Sequence, residues 1–233
     1  MDQFERTKLL IGETQFEKLS KAKIAVFGIG GVGGYVCEAL VRSGIKNIAI
    51  VDNDTVSLTN LNRQIIATHD TIGRLKVDVM KERLMSINKE VNVECINTFL
   101  LKNEDNVIDF SKYDYLVDAL DTITAKLTII EEANKLNKKV ISSMGTGNKI
   151  NPTMLEVTDI YKTTVCPLAR VMRTELKKRN IKKLKVVYSK ETPIKPLGII
   201  DDNKSIPASI AFVPSVAGLI IASEVVKDII SEE

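Results

Sequence analysis

Three groups of residues between Lys23 and Lys76 have types and spacings that can do chemistry. The first is Gly28-Ile29-Gly30-Gly31-Val32-Gly33-Gly34, which follows the apolar run Lys23-Ile24-Ala25-Val26-Phe27. Glycines at 28, 30, 31 and 33 remove Cβ atoms where backbone must approach a phosphate and where a helix must sit close to a strand. The helix start that follows offers unsatisfied N–H groups and a partial positive charge. The second group is the acidic turn Asp52-Asn53-Asp54. Asp52 ends an apolar run, where a carboxylate takes ribose hydroxyls, and Asp54 stands beside it. So far the pattern serves NAD as well as any other nucleotide.

The third group separates the two. Asn60 and Arg63 lie in Asn60-Leu61-Asn62-Arg63-Gln64, and Lys76 closes Gly73-Arg74-Leu75-Lys76. Two cations and an amide donor suit the β- and γ-phosphates of ATP, where charge accumulates as pyrophosphate leaves. A hydride-transfer site gains little from them. ATP used as a reagent implies an enzyme.

Alternating elements must position these groups. An amphipathic lead over Thr7 to Leu19 precedes the strand Lys23 to Phe27. The pattern then predicts a helix from Val32 to Arg42, closed by Ser43-Gly44, and a strand from Asn47 to Val51. Gly73 to Asn88 reads as a helix with Val77, Met80, Leu84 and Ile87 on one face. Strands follow at Val91 to Ile96, Tyr113 to Leu120 and, after a helix over Thr124 to Asn137, Lys139 to Ser143. Strands separated by helices of this length form parallel βαβ units, so the core is a doubly wound α/β sheet. Beyond Met144 the pattern predicts a strand over Pro152 to Thr158, a basic helix over Leu168 to Arg179 and a strand over Leu184 to Ser189. A proline-bearing loop over Glu191 to Pro207 then leads to a strand at Ser209 to Val213 that breaks at Pro214, before a helix over Ser215 to Ile230.

Composition sets the class. The 233 residues are 44% hydrophobic and 27% charged, ordinary for a globular chain with a full core. Apolar runs such as Ile210 to Val213 are too short to span a bilayer, and Met1-Asp2-Gln3-Phe4-Glu5-Arg6 lacks the regions of a signal peptide. The expected location is the cytoplasm, away from membranes. Cys37, Cys95 and Cys166 lie far apart with no CxxC pair, which argues against structural zinc. Cys166, before a proline in a polar segment, is the cysteine to suspect of reactivity. His69 is the only histidine.

The net charge of +3 hides an asymmetry. From Tyr161 to Pro196 there are eleven lysines and arginines, opposed within that stretch only by Glu175 and Glu191, so the remainder is slightly acidic. Such a stretch is either a solvated helix face or a surface that meets a phosphate backbone.

The set GxGGxG, then VDxDxVxxxNxxRQ, then GxxK resembles, along nearly the whole chain, the ThiF/MoeB/HesA superfamily of ubiquitin-activating-type adenylyltransferases. Asp118-Ala119-Leu120-Asp121-Thr122 resembles that family's DxxDN segment, with Thr122 replacing the asparagine. The resemblance implies a single Rossmann-like, mostly parallel domain over 1–233. It would comprise a helical lead (1–22), a nucleotide-binding core (23–150) and a C-terminal α/β extension (151–233). It assigns ribose to Asp52, phosphates to Asn60, Arg63 and Lys76, and magnesium with the adenylate to Asp121. Arg6, in Phe4-Glu5-Arg6-Thr7, would reach the ATP site of the other subunit in a homodimer.

Family members that activate sulfur carriers usually hold zinc on paired CxxC motifs, absent here. Ser142 to Gly147, Val157 to Ile160 and Cys166 to Ala169 resemble, in order and spacing, the zinc-free branch that dehydrates threonylcarbamoyladenosine in tRNA. That gives the basic stretch a purpose, contact with the tRNA backbone. The resemblance leaves open a sulfurtransferase-type protein partner and a monovalent cation near Gly145-Thr146-Gly147. Two alternatives stand beside it. One is adenylation of the C-terminus of a ubiquitin-like sulfur carrier, with Cys166 taking the product as a thioester. The other is an NAD-dependent dehydrogenase or nucleotide-sensing module.

Overall fold

The computed structural model describes residues 2–98, 108–196 and 207–231. Among the described residues seven strands form one sheet: β1 (Lys23–Phe27), β2 (Asn47–Val51), β3 (Asn92–Ile96), β4 (Tyr115–Asp118), β5 (Lys139–Ser143), β6 (Leu155–Asp159) and β7 (Lys185–Ser189). Their order is β3-β2-β1-β4-β5-β7-β6, parallel throughout except for the antiparallel edge strand β6. The chain steps outward from β1 to β3, then returns to the other side of β1. Ligands of open α/β sheets bind at such a reversal, outside the carboxyl ends of the strands. Here that crevice lies between the ends of β1 and β4.

Helices cover both faces: α1 (Glu5–Ile11), α2 (Glu13–Lys21), α3 (Gly33–Ser43), α4 (Lys76–Ile87), α5 (Ile123–Lys135), α6 (Pro167–Lys178) and α7 (Phe212–Ile230). The strand period of two divides β1 between them. Ile24 and Val26 join the core beneath α3, α4 and α7, while Ala25 and Phe27 join the one beneath α5. A third cluster packs α6 on Val186 and Tyr188 of β7. Gly218 of α7 comes so close to α3 that a Cβ there would lie 2.5 Å from the Val32 carbonyl oxygen. Small residues at the start of α7 therefore serve helix–helix contact as well as the sheet. Among the described residues no helix is long and apolar enough to cross a membrane.

Four expectations are corrected. The lead is two helices, because Gly12 adopts φ 86° between α1 and α2. Gly73 lies in a left-handed turn at φ 86°, and α4 starts only at Lys76. Pro152 sits in a 3₁₀ turn, Pro152–Met154, whose Thr153 N–H is accepted by the Asn151 side chain, and β6 starts after it. No strand forms at Ser209 to Val213. That apolar run enters α7, and Pro214 occupies its third position, where a missing N–H breaks no intrahelical bond. Residues 197–206 of the expected loop 191–207 lie outside the described residues.

Candidate active site

The glycine turn joins β1 to α3 at the crevice. Gly28 adopts φ 90°, and a Cβ on it would lie 2.8 Å from the Ala119 carbonyl oxygen, just past β4. At Gly33 a Cβ would lie 1.7 Å from the Gly28 carbonyl oxygen. Packing therefore requires glycine at both. Gly30 differs, since among the described residues a Cβ there would meet only the Gln64 amide nitrogen, at 3.8 Å. Its bare backbone leaves room for a ligand rather than for the protein. A Cβ on Gly31 would lie 3.3 Å from Pro214 Cβ and 3.4 Å from Arg63 Cγ, so the Arg63 stem runs beside the turn.

Asp52 is nearly buried at the end of β2. One carboxylate oxygen accepts the Ile29 N–H at 2.6 Å, tying β2 to the glycine turn, and the other accepts the Asp54 N–H at 2.8 Å. Burial holds this carboxyl above the usual aspartate range, while Lys76 and the two N–H groups pull it back. A carboxylate has about four acceptor positions, so two protein donors leave capacity for ribose hydroxyls.

Lys76 opens α4 and is 5% exposed, and its ammonium binds Asp54 Oδ2 at 2.8 Å. The Lys76 N–H also donates to the Asp54 carbonyl at 3.0 Å, so turn and helix start are clamped twice. Asn60 is buried at the end of a 3₁₀ turn, its Oδ1 accepting the Ser57 N–H at 3.1 Å. Arg63 is half-buried and donates to the Thr59 carbonyl and the Asn62 side chain, both at 2.9 Å. Asp52, Asp54 and Lys76 are thus tied to the glycine turn by hydrogen bonds, and the Arg63 stem lies beside Gly31. Asp121 follows β4 on the same sheet edge, exposed, with one oxygen accepting from Thr122 at 3.3 Å.

Arg6 stands apart. It is exposed on α1, whose neighbours Phe4 and Lys8 pack on Phe16, with ring centroids 5.3 Å apart and the ammonium 5.1 Å from the ring. Phe16 in turn lies against Gly44, just past the far end of α3. The eleven residues of α3 put roughly 16 Å between that end and the glycine turn.

Three residues without an assigned role also belong here. Gln64 is buried beside Gly30, and its Oε1 has no hydrogen-bond partner among the described residues. Lys126 of α5 is wholly buried and pairs with the equally buried Asp118 at 2.9 Å. It also donates to the Leu120 and Ser143 carbonyls, at 3.0 and 2.8 Å, binding the ends of β4 and β5 just ahead of Asp121. Lys149 is buried in the loop after β5. The aspartate ending the apolar strand β4 was the available signal, because a buried carboxylate requires a cation or several donors.

The basic stretch is partly neutralised by residues remote in sequence. Lys185 pairs with Asp228 at 2.7 Å and Glu224 at 3.2 Å, Lys190 with Glu156 at 2.7 Å, and Arg179 with Glu131 as well as Glu175. Glu175 and Glu191 are therefore not its only opponents. Lys162, Arg170, Lys182 and Lys183 remain exposed with no acidic partner among the described residues, and Lys177 is exposed over the Tyr161 ring. Cys166, the cysteine singled out as the one to suspect of reactivity, is 2% exposed at the start of α6.

This site geometry is accompanied by similarity over the full length. The profile of the ThiF family matches residues 4–233. The chain belongs to the ThiF family. It is 43% identical to the tRNA threonylcarbamoyladenosine dehydratase of Bacillus subtilis, covering all of this chain and 96% of that protein. The Escherichia coli tRNA N6-threonylcarbamoyladenosine dehydratase TcdA, solved in complex with ATP, superposes with a TM-score of 0.89 at 33% identity. That match covers 98% of this chain and 94% of TcdA. A more distant ThiF-type relative is the adenylyltransferase and sulfurtransferase UBA4 of Candida glabrata, 37% identical over 61% of this chain and 33% of that protein. The doubly wound α/β fold expected from the sequence is the observed one.

Proposed function

We propose that this ThiF-family chain is an ATP-dependent dehydratase of threonylcarbamoyladenosine in tRNA, built as one adenylylating domain over 1–233. The observation that carries the reading is the joining of Arg63 and Lys76 to a glycine turn whose Gly30 has no packing reason to be glycine. A phosphate chain with more charge than a dinucleotide's accounts for both. The full-length likeness to named dehydratases supports the substrate.

In this scheme the threonyl carboxylate attacks the α-phosphate of ATP, and pyrophosphate leaves. The neighbouring carbamoyl group then attacks the acyl-adenylate, closing a ring, and AMP departs with the carboxylate oxygen. The net change is loss of one water. Asp52 orients the ribose. Asn60, Arg63 and Lys76 hold the phosphates and meet the charge that develops on pyrophosphate. The second step is intramolecular, so proximity supplies much of its acceleration, and no enzyme nucleophile is needed. The buried Cys166 thiol fits that better than a thioester relay.

Magnesium is bound by one or two carboxylates completed by substrate phosphates and water. The exposed carboxylate of Asp121 fits that donor set, and bound magnesium would neutralise phosphate charge there. The position of Arg6, remote from its own glycine turn, supports action in the site of a second subunit. Leu9 and Leu10 of α1, 79% and 84% exposed, offer that subunit an apolar face. Lys162, Arg170, Lys177, Lys182 and Lys183 are the basic residues for the tRNA backbone.

The test is AMP release from ATP with magnesium. It should require tRNA that carries threonylcarbamoyladenosine, and tRNA lacking the modification should give only background. Equal release with both would remove the substrate assignment.

A further inference from the structure

Lys149 is buried, charged and unused in the scheme above. Its ammonium donates to the Gly145 carbonyl at 2.8 Å and lies 3.4 Å from the Gly147 carbonyl. Glu191, the nearby carboxylate, is occupied by backbone, accepting N–H groups of Ile150 at 3.0 Å and Asn151 at 2.9 Å. Burial pushes the Lys149 ammonium down from the usual lysine range, against the Cys166 and Glu191 side chains. Main-chain carbonyl oxygens are thus its direct partners, and these are the ligands that dehydrated K⁺ or Na⁺ takes.

The same loop is held from its other side. Asn148, at φ 59°, accepts the Ile194 N–H with its carbonyl and the Ala208 N–H with its side chain, both at 2.7 Å. Its own N–H donates to the Ala208 carbonyl at 2.7 Å. The loop leaves β5 next to β4 and Asp121, at the edge where the nucleotide groups stand. Lys126, on the Ser143 carbonyl, fixes its root.

We infer that Lys149 is a tethered substitute for a monovalent cation: its ammonium gathers the Gly145 and Gly147 carbonyls, so that this site keeps its shape without K⁺ or Na⁺. Lys149 is a positioning residue. Its effect on turnover rests on the ATP-site reading; its effect on the loop does not.

The test compares the full chain with Lys149→Met and Lys149→Gln in KCl, NaCl and choline chloride at equal ionic strength. Melting temperature is read without nucleotide, and ATP-dependent turnover is read separately. The wild-type chain should melt and turn over alike in all three salts. Both variants should melt roughly 2–4 °C higher in K⁺ or Na⁺ than in choline. Their turnover should recover about tenfold with the cation. A wild-type chain that needs K⁺, or variants that melt and turn over alike in every salt, would overturn the inference. If neither variant folds, cation dependence of the wild type decides alone. If no turnover is found at all, the dehydratase reading fails, while the melting comparison still decides the role of Lys149.

Discussion

The ammonium of Lys76 is bound to the carboxylate of Asp54 at 2.8 Å, with 7% of the lysine side chain exposed against 61% of the aspartate's. The cation proposed to bind phosphate is therefore held in place by the protein itself, through a partner that water can take over. Stability and activity should separate at this pair. Lys76→Ala should lower kcat/KM for ATP by about 10²–10³-fold, the loss expected for one preorganised donor. The ion pair itself should contribute only about 0–1 kcal/mol to folding, because the orphaned Asp54 is hydrated. Steady-state kinetics beside denaturant unfolding checks both, and near-wild-type turnover would remove Lys76 from the phosphate site.

Lys126 and Asp118 should behave in the opposite way. Both are fully buried, and the lysine also serves two carbonyls. Lys126→Met leaves a buried carboxylate uncompensated and should cost about 3–5 kcal/mol. Adding Asp118→Asn should return at least about 1 kcal/mol of that, since the uncompensated charge is gone. Urea unfolding of the single and double variants measures the difference. A single variant within error of wild type would show the pair to be hydrated in solution.

Asp52 and Asp228 give opposite pH dependences. Burial raises Asp52, so the folded chain holds its proton more tightly than the unfolded one. Its contribution favours folding in acid and is lost as pH rises through the raised value. Burial also pushes Asp228 up, but hydrogen bonds from Lys185 and Tyr115 outweigh it and leave the carboxyl below the ordinary 3.8. Its contribution is present above that ordinary value and lost as pH falls through the lowered one. Unfolding free energies of Asp52→Asn and Asp228→Asn, each subtracted from wild type over the acid range, should slope in opposite directions. Slopes of one sign would contradict the environments described for the two carboxyls.

The basic surface should act through charge rather than sequence. Arg170→Ala, Lys182→Ala and Lys183→Ala together should flatten the plot of log affinity for tRNA against log salt by roughly 2–3 units. Lys185→Ala should leave that slope unchanged, because Lys185 is committed to Asp228 and Glu224. Filter binding across a salt series distinguishes the two sets.

Much of this was legible in the residues. The strands Lys23–Phe27, Asn47–Val51 and Lys139–Ser143 fall where their apolar runs begin and end, because short runs between turn signals have few other ways to be buried. Ser209 to Val213 misled for a local reason. Its β-rich residues precede a proline, which reads as a break, yet a proline in the first turn of a helix removes no bond. The edge position of β6 and its antiparallel sense follow from β7, more than twenty residues further on, taking the place beside β5, and no periodicity within β6 encodes that. Lys126 and Lys149 look like surface lysines in sequence, since burial of a cation is decided by carbonyls and carboxylates remote along the chain. The same remoteness made the basic stretch look more charged than it is, until Glu131, Glu156, Glu224 and Asp228 fold against it.

The most direct measurement is mass spectrometry of nucleosides from tRNA carrying threonylcarbamoyladenosine, incubated with this protein and ATP–magnesium. The modified nucleoside should lose the mass of one water, only when ATP is present, and Lys76→Ala should suppress the loss. An unchanged nucleoside, with the protein folded and the tRNA fully modified, would contradict the dehydratase and turn attention to adenylation of a carrier protein.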